Sequence, residues 1–379
     1  MARLFCLFIG LYAVGSISPA MAQKLTLLFA GDAMQHQSQI DNAYRDGKFD
    51  YSSYFQPVSY EISQADIAVV NLEVTLGGKP YKGYPMFSAP DEYAVALKDA
   101  GFDVFLNANN HILDRFSKGL HRTLDVLDSL EVKHTGVFRN AAEREETYPL
   151  MIDKNGIRLA FLNYTYATNG IKAAFPDYVN YIDKLQIQKD IQKAKELKAD
   201  IIIANMHWGE EYHLIQNKTQ ENLAQFLMDE GVDMVMGSHP HVVQPSRAVT
   251  DSIGNITNLV IYSLGNFVSS MTAVNTDGGQ MIRVVLYKNP DKTAITSCGY
   301  ILHYTERKKN GNKTDFSVVP VWSAERDSIS PNNLKMKRFA TNARAIFDKY
   351  NEGIPEYRIL TPPPPEEDYL KFLPIKFVR

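Results

Sequence analysis

An α/β fold with a largely parallel sheet is expected from two observations. Short runs rich in Val, Ile, Leu and Phe recur from residue 25 to about 287, and segments with apolar residues at helical spacing lie between them. The runs lack strict polar–apolar alternation, as expected of strands covered on both faces. Strand alternating with helix builds a parallel sheet.

The expected strands are 25–30, 67–70, 104–106, 159–163, 201–205, 234–236 and 260–262. Residues 120–130 repeat Leu120, Leu124, Leu127 and Leu130, one face of a helix. Residues 183–197 place Leu185, Ile187, Ile191 and Leu197 among Lys, Gln and Glu. Residues 220–230 carry Leu223, Phe226 and Leu227 and stop at Gly231, a C-cap residue. After Gly279 the character changes. Residues 281–287 and 297–304 read as antiparallel strands joined by Asn289-Pro290-Asp291, followed by a helix over 332–350, a polyproline spacer at 362–365 and an apolar-basic tail.

The N-terminus predicts export. Arg3 precedes the apolar run 4–14, which is too short to span a bilayer, and Ala20-Met21-Ala22 offers a small-x-small cleavage signal. Residues 1–22 are therefore read as a signal peptide, with a secreted, periplasmic or cell-envelope destination. Residues 23–287 form the main domain, and residues 288–379 a C-terminal extension with a proline-containing tail. Nothing in the mature chain is long and apolar enough for a transmembrane helix.

Charge excludes one class of partner. The formal net charge is −3, and loss of Arg3 with the leader makes it −4. No basic stripe appears, so nucleic acid is not an expected partner. A polyanion would need a metal or a local Lys/Arg pocket to recruit it. Of the two cysteines, Cys6 leaves with the leader, so Cys298 cannot form a disulfide within the mature chain.

Polar clusters follow six of the seven strands: Gly31-Asp32, Asn71-Leu72-Glu73, Asn109-Asn110-His111, His207-Trp208-Gly209-Glu210, Gly237-Ser238-His239-Pro240-His241 and Ser263-Leu264-Gly265-Asn266-Phe267. In α/β sheets ligands bind beyond the carboxyl ends of strands. Four of the nine histidines lie in these clusters, beside carboxylates and an amide. That donor set suits Zn, Mn or Fe, which it does not distinguish. In His239-Pro240-His241 the alternate residues can aim both rings at one point, and proline stiffens the turn.

Taken in order, Gly31-Asp32-Ala33-Met34, Asn71-Leu72-Glu73, Asn109-Asn110-His111-x-x-Asp114, His207-Trp208-Gly209-Glu210-Glu211-Tyr212, Gly237-x-His239-Pro240-His241 and Tyr262-Ser263-Leu264-Gly265-Asn266-Phe267 resemble the CapA (poly-γ-glutamate capsule) family over about residues 25–270. That family is similar to calcineurin-like metallophosphoesterases. The resemblance implies a four-layer αββα sandwich with one or two divalent ions. It implies that Asp32, Glu73 and His241 hold one metal, and Glu73, Asn110, His207 and His239 the other. It further implies His111 as proton donor to the leaving group. Asp114 and Asn266 would support the ligands or face substrate, and Glu210 and Glu211 would orient His207. The first motif departs from the phosphoesterase pattern, because Met34 stands where a His is usual. His36 is the nearest imidazole that could replace it.

The function so implied is an exported metal-dependent hydrolase in synthesis, export or trimming of poly-γ-glutamate or a related capsule polymer. Its partners would be the anionic polymer or its precursor and envelope assembly proteins. Two alternatives stand beside it: a non-catalytic, metal-containing polymer-binding protein, and a metallopeptidase for γ-glutamyl or cell-wall amides.

Overall fold

The computed structural model describes residues 23–290, 292–326 and 333–358. The leader, Cys6, Asp291, the proline run and the tail lie outside the described residues. The strands are β1 (Gln23–Ala33), β2 (Ile67–Leu72), β3 (Val104–Leu106), β4 (Lys133–Thr135), β5 (Leu150–Lys154), β6 (Ile157–Thr165), β7 (Ile201–His207), β8 (Met234–Ser238), β9 (Ser246–Thr250), β10 (Ile256–Ile261), β11 (Asn266–Val268), β12 (Gly278–Lys288), β13 (Thr293–Asn310) and β14 (Lys313–Pro320). The main helices are α1 (Asp91–Asp99), α2 (Phe116–Ser129), α3 (Lys184–Glu196), α4 (Lys218–Asp229) and α5 (Leu334–Tyr350).

The hydrogen-bonded order is β4-β3-β2-β1-β12-β13-β10-β8-β7-β6-β5. Strands β1 to β4 pair in parallel, as do β6, β7, β8 and β10. The two halves meet through one register pair, Ile256 with Ile295, so the path folds over at a thin seam. Side-chain alternation shows the result. Leu25, Leu27 and Phe29 of β1 share one core with Phe161, Ile203, Met236 and Ile261 from the other half. Leu28 and Ala30 turn outward onto Tyr93 and Leu97 of α1 and Leu127 of α2. On the opposite outer face Leu162, Ala204 and Val235 pack on Ile187 and Ile191 of α3 and Leu223 and Leu227 of α4. Helix, sheet, sheet, helix is the four-layer αββα sandwich that the resemblance implies.

Each expected strand and helix is present, but several strands run further. The apolar signal stops at residues 30, 163, 205 and 236, whereas β1, β6, β7 and β8 continue to Ala33, Thr165, His207 and Ser238. Polar site residues occupy the final strand positions, so hydrophobicity fades before the hydrogen-bond ladder does. Helix termini follow local chemistry: Asp183 accepts from Gln186 N at 2.8 Å and Asn217 from Gln220 N at 3.0 Å, satisfying first-turn donors. Gly231 at φ 97° ends the turn after α4.

The expected boundary after residue 287 falls inside β12, which pairs with β13 along its length. The segment beyond it completes the same core: Leu302 of β13 and Met336, Phe339 and Phe347 of α5 belong to the buried cluster that the two sheets share. Among the described residues no helix is long and apolar enough to cross a membrane.

One half-buried carboxyl at the opposite end of the sheet from the strand-end clusters gives a stability prediction. Asp233, just before β8, accepts from Ile202 N at 2.8 Å, and burial pushes its carboxyl from 3.8 up to about 6. A raised acid costs stability once ionised, so its contribution should weaken as pH rises from about 4 to 6. Urea melts of the parent and of Asp233→Asn, which keeps an acceptor for Ile202, should converge at low pH and diverge in favour of the variant above pH 6. Parallel pH profiles would contradict the assignment.

Candidate metal centre

The carboxyl ends of strands from both sheets converge. The register sets Asp32 beside Asn71 on one side, and Thr165, His207 and Ser238 abreast on the other. The close approach depends on small residues: a Cβ on Gly31 would lie 1.9 Å from Gly265 O, and one on Gly237 2.0 Å from Tyr262 O. Past β8, His239 and His241 adopt φ of 100° and 59°, on either side of Pro240. Non-glycine residues in this region carry strain that surrounding structure must hold, and such strain gathers at functional sites. The turn brings the two rings to a centroid separation of 5.9 Å, and His207 to 4.8 Å from His239.

Asp32, Glu73, His207, His239 and His241 are each 2% exposed or less. Their donor atoms form two overlapping groups, Glu73 with His239 and His241, and Asp32 with Glu73 and His207, each within 4.8 Å. Glu73 belongs to both, as a bridging carboxylate would. The pairings implied by the family also occur: His241 Nδ1 lies 3.2 Å from Asp32 Oδ2, and His207 Nε2 lies 2.9 Å from Asn110 Oδ1 and 3.6 Å from Glu73 Oε1.

The electrostatics fit a cation. Burial and the neighbouring Asp32 carboxylate push the Glu73 carboxyl well up. Burial also raises Asp32, but the hydrogen bonds and charge of His241, with Asn71, outweigh it and hold that carboxyl low. Burial and the adjacent His239, His241 and His111 drive His207 well down, and burial with His241 brings His239 to about 3. Neutral imidazoles are the ligand form. Glu73 Oε1 and His239 Nδ1 are buried without a hydrogen-bond partner, a state that native structures rarely leave unexplained. Two carboxylates, three imidazoles and the Asn110 amide are an appropriate donor set for a divalent transition metal. When bound, such an ion lowers the pKa of a coordinated water toward about 7 and stabilises charge on an attacked oxygen.

The chain's own residues prepare that site. Asn71 donates to Asp32 Oδ1 at 2.8 Å and to Glu73 Oε2 at 3.3 Å, fixing both carboxylates. Asn109 donates to Asn71 Oδ1 and to Leu72 O, and accepts from His111 N. His111 and Asn110 have different main partners: Asn110 Oδ1 meets His207, while His111 Nδ1 meets Asp114 Oδ2 at 2.8 Å. Asp114 also accepts from Phe87 N at 2.8 Å, so it holds the imidazole by a fixed carboxylate. Asn266 Oδ1 faces His241 Nδ1 at 3.0 Å.

Three expected supporting residues sit elsewhere. Glu210 and Glu211 are exposed. His207 is oriented instead by Ser238 Oγ at 3.0 Å, while Glu210 pairs with His213 at 2.9 Å. A loop after Gly209 turns the acids toward solvent. His36 belongs to neither ligand group; its Nδ1 accepts from Ser270 N, and its backbone N–H donates to Gln39. Met34 is buried in the apolar layer.

The loop after β6 contributes residues that the strand-end reading passed over. Tyr166 places its ring centroid 4.5 Å from His239, while Asn169 Oδ1 accepts from Asn110 Nδ2 at 3.3 Å and Asn169 Nδ2 lies 3.3 Å from His111 Nδ1. The rule that found the other clusters applies equally to this strand and points to residues 164–169.

A family model described as bacterial capsule synthesis protein PGA_cap matches residues 26–271. The chain is 30% identical over 290 residues to the capsule biosynthesis protein CapA of Bacillus anthracis, covering 73% of this chain and 67% of that protein. It is 30% identical over 203 residues to the PGA biosynthesis protein CapA of Bacillus subtilis (strain 168), covering 52% of this chain and 50% of that one. Among solved structures it is similar to the NAD nucleotidase of Haemophilus influenzae, with 13% identity, TM-score 0.48 and coverage of 86% of this chain and 68% of that chain. It is also similar to the calcineurin-like phosphoesterase YfkN of Bacillus subtilis, with 13% identity, TM-score 0.46 and coverage of 85% and 99%. With its ordered motifs and a family match over most of its length, the chain belongs to the bacterial capsule synthesis protein family, PGA_cap.

Proposed function

We propose that the protein is an exported metal-dependent hydrolase that trims or processes poly-γ-glutamate or a related anionic envelope polymer. The observation that carries this reading is the buried cluster centred on Glu73, with an unpartnered Glu73 Oε1 and His239 Nδ1 facing neighbouring ligand atoms. Beside it stands His111, held by Asp114 and available for proton transfer. The names of the relatives supply the polymer; the site supplies the chemistry.

A second reading, a metal-containing polymer-binding protein without turnover, is favoured by Met34. An apolar, buried side chain occupies the position of a usual ligand, so the first metal's shell is thin.

The test is elemental analysis of the exported protein, followed by assays on phosphoesters, γ-glutamyl peptides and the polymer before and after chelation. The expected result is bound divalent metal and a hydrolysis that chelation abolishes and metal restores. Bound metal with polymer affinity but no hydrolysis of any substrate selects the second reading. Absence of metal from protein purified without chelator overturns both.

A further inference from the structure

Away from the candidate ligands, a cleft of about 540 Å³ is lined by Arg307, Lys308, Lys335 and Arg338 together with Asp277 and Glu306. Four cations against two carboxylates make a local excess of positive charge on a chain whose net charge is −3. That is the condition under which an acidic protein can recruit an anionic ligand.

Two features show that the charge is concentrated against local preference. Lys335 and Lys337 occupy the first turn of α5 and Arg338 follows, with no acidic residue in that turn. The N-terminus of a helix is its positive end and normally attracts acids. Departures from such local rules are expected where a site is built. Arg307 lines the same cleft. Its Nε is buried without a hydrogen-bond partner, while its Nη2 donates to the carbonyls of Met271 and Ser269.

Those carbonyls connect the cleft to the chemistry. Asn266 donates to Ser269 Oγ at 3.1 Å, and its Oδ1 faces His241 Nδ1 at 3.0 Å. Met271, which lines the cleft, also contacts Asn266. One short loop therefore forms the wall between Arg307 and the candidate ligand His241.

We propose that this cleft is a carboxylate-binding subsite, which holds an anionic side group of a polymer while a neighbouring part of the same chain lies at the metal centre. The inference rests on the polymer reading above. Asp277 and Glu306 temper the charge, which suits one or two carboxylates better than a run of phosphates.

The test uses full-length exported protein with its metal, titrated with γ-glutamyl oligomers of increasing length and with glutarate, at low and high salt. Lys335→Ala/Arg338→Ala changes only exposed positions; Lys335→Glu is the second variant, and thermal melts verify folding. Oligomer affinity in the parent should rise with length and fall with salt, and both variants should weaken long oligomers by about tenfold while metal content stays constant. Glutarate binding that the variants abolish, with no oligomer binding, supports the cleft as a small-carboxylate site and sinks the polymer reading. Oligomer hydrolysis with equal affinity in parent and variants keeps the polymer reading and overturns the cleft. Failure of both probes to bind the parent also overturns it.

Discussion

The double variant His239→Ala/His241→Ala should purify without metal. Both imidazoles lie in the ligand group with Glu73, and His241 also lies 3.2 Å from Asp32. Each implied ion loses one imidazole, and the Asp32, Glu73, His207 group that remains must then hold an ion without either histidine of the strained turn. The loss should also appear in stability. A ligand present at about 1,000 times its Kd adds roughly 4 kcal/mol to the folded state. Chelator should therefore lower the Tm of the parent and leave that of the variant unchanged. Alanine keeps the cost of positive φ at both positions. The apo variant should then resemble the apo parent, and His239→Gly/His241→Gly should be the more stable apo form. Elemental analysis decides: equal metal content in parent and double variant would remove the site from these residues.

His111→Ala should keep the metal and lose turnover. Its ring is tied to Asp114 and belongs to neither ligand group, whereas the neighbouring Asn110 meets His207. Loss of a general acid costs about 10²–10⁴ in rate. The loss should be deepest for poor leaving groups and shallow for activated ones, which depart without a proton. Asp114→Asn should show the same leaving-group pattern more weakly, because the amide holds the ring without its charge. A purely structural role would lower stability in both variants and leave the leaving-group dependence flat. Metal lost together with His111 would make it a ligand.

The strand cores and the order of site motifs were legible because burial on two faces writes itself as apolar runs, and strand ends collect polar residues. The elements that escaped have physical reasons. β5 and β14 are partly exposed and mix charged with apolar residues, so neither period stands out. Asn71 is a polar residue inside an otherwise apolar strand, yet its amide fixes both Asp32 and Glu73. Ser238, not an acid, orients His207, because register sets the two strand ends abreast and no sequence spacing reports that. The cleft beside Arg307 joins β13 to the start of α5, and only folding brings their cations together.

The thin seam between the sheet halves has a consequence for the order of events during synthesis. β1, made first, finds β12 only after residue 278 has emerged, and β12 is flanked in turn by β13. Until residues 293–347 exist, Phe29, Phe161 and Met236 lack part of the inter-sheet packing that β13 and α5 supply. The two sheets therefore cannot lock face to face until β13 and α5 have joined them. Pairings this distant close late and slowly. Until that happens, Asp32 and His207 sit on two unclosed halves and the candidate ligands cannot meet.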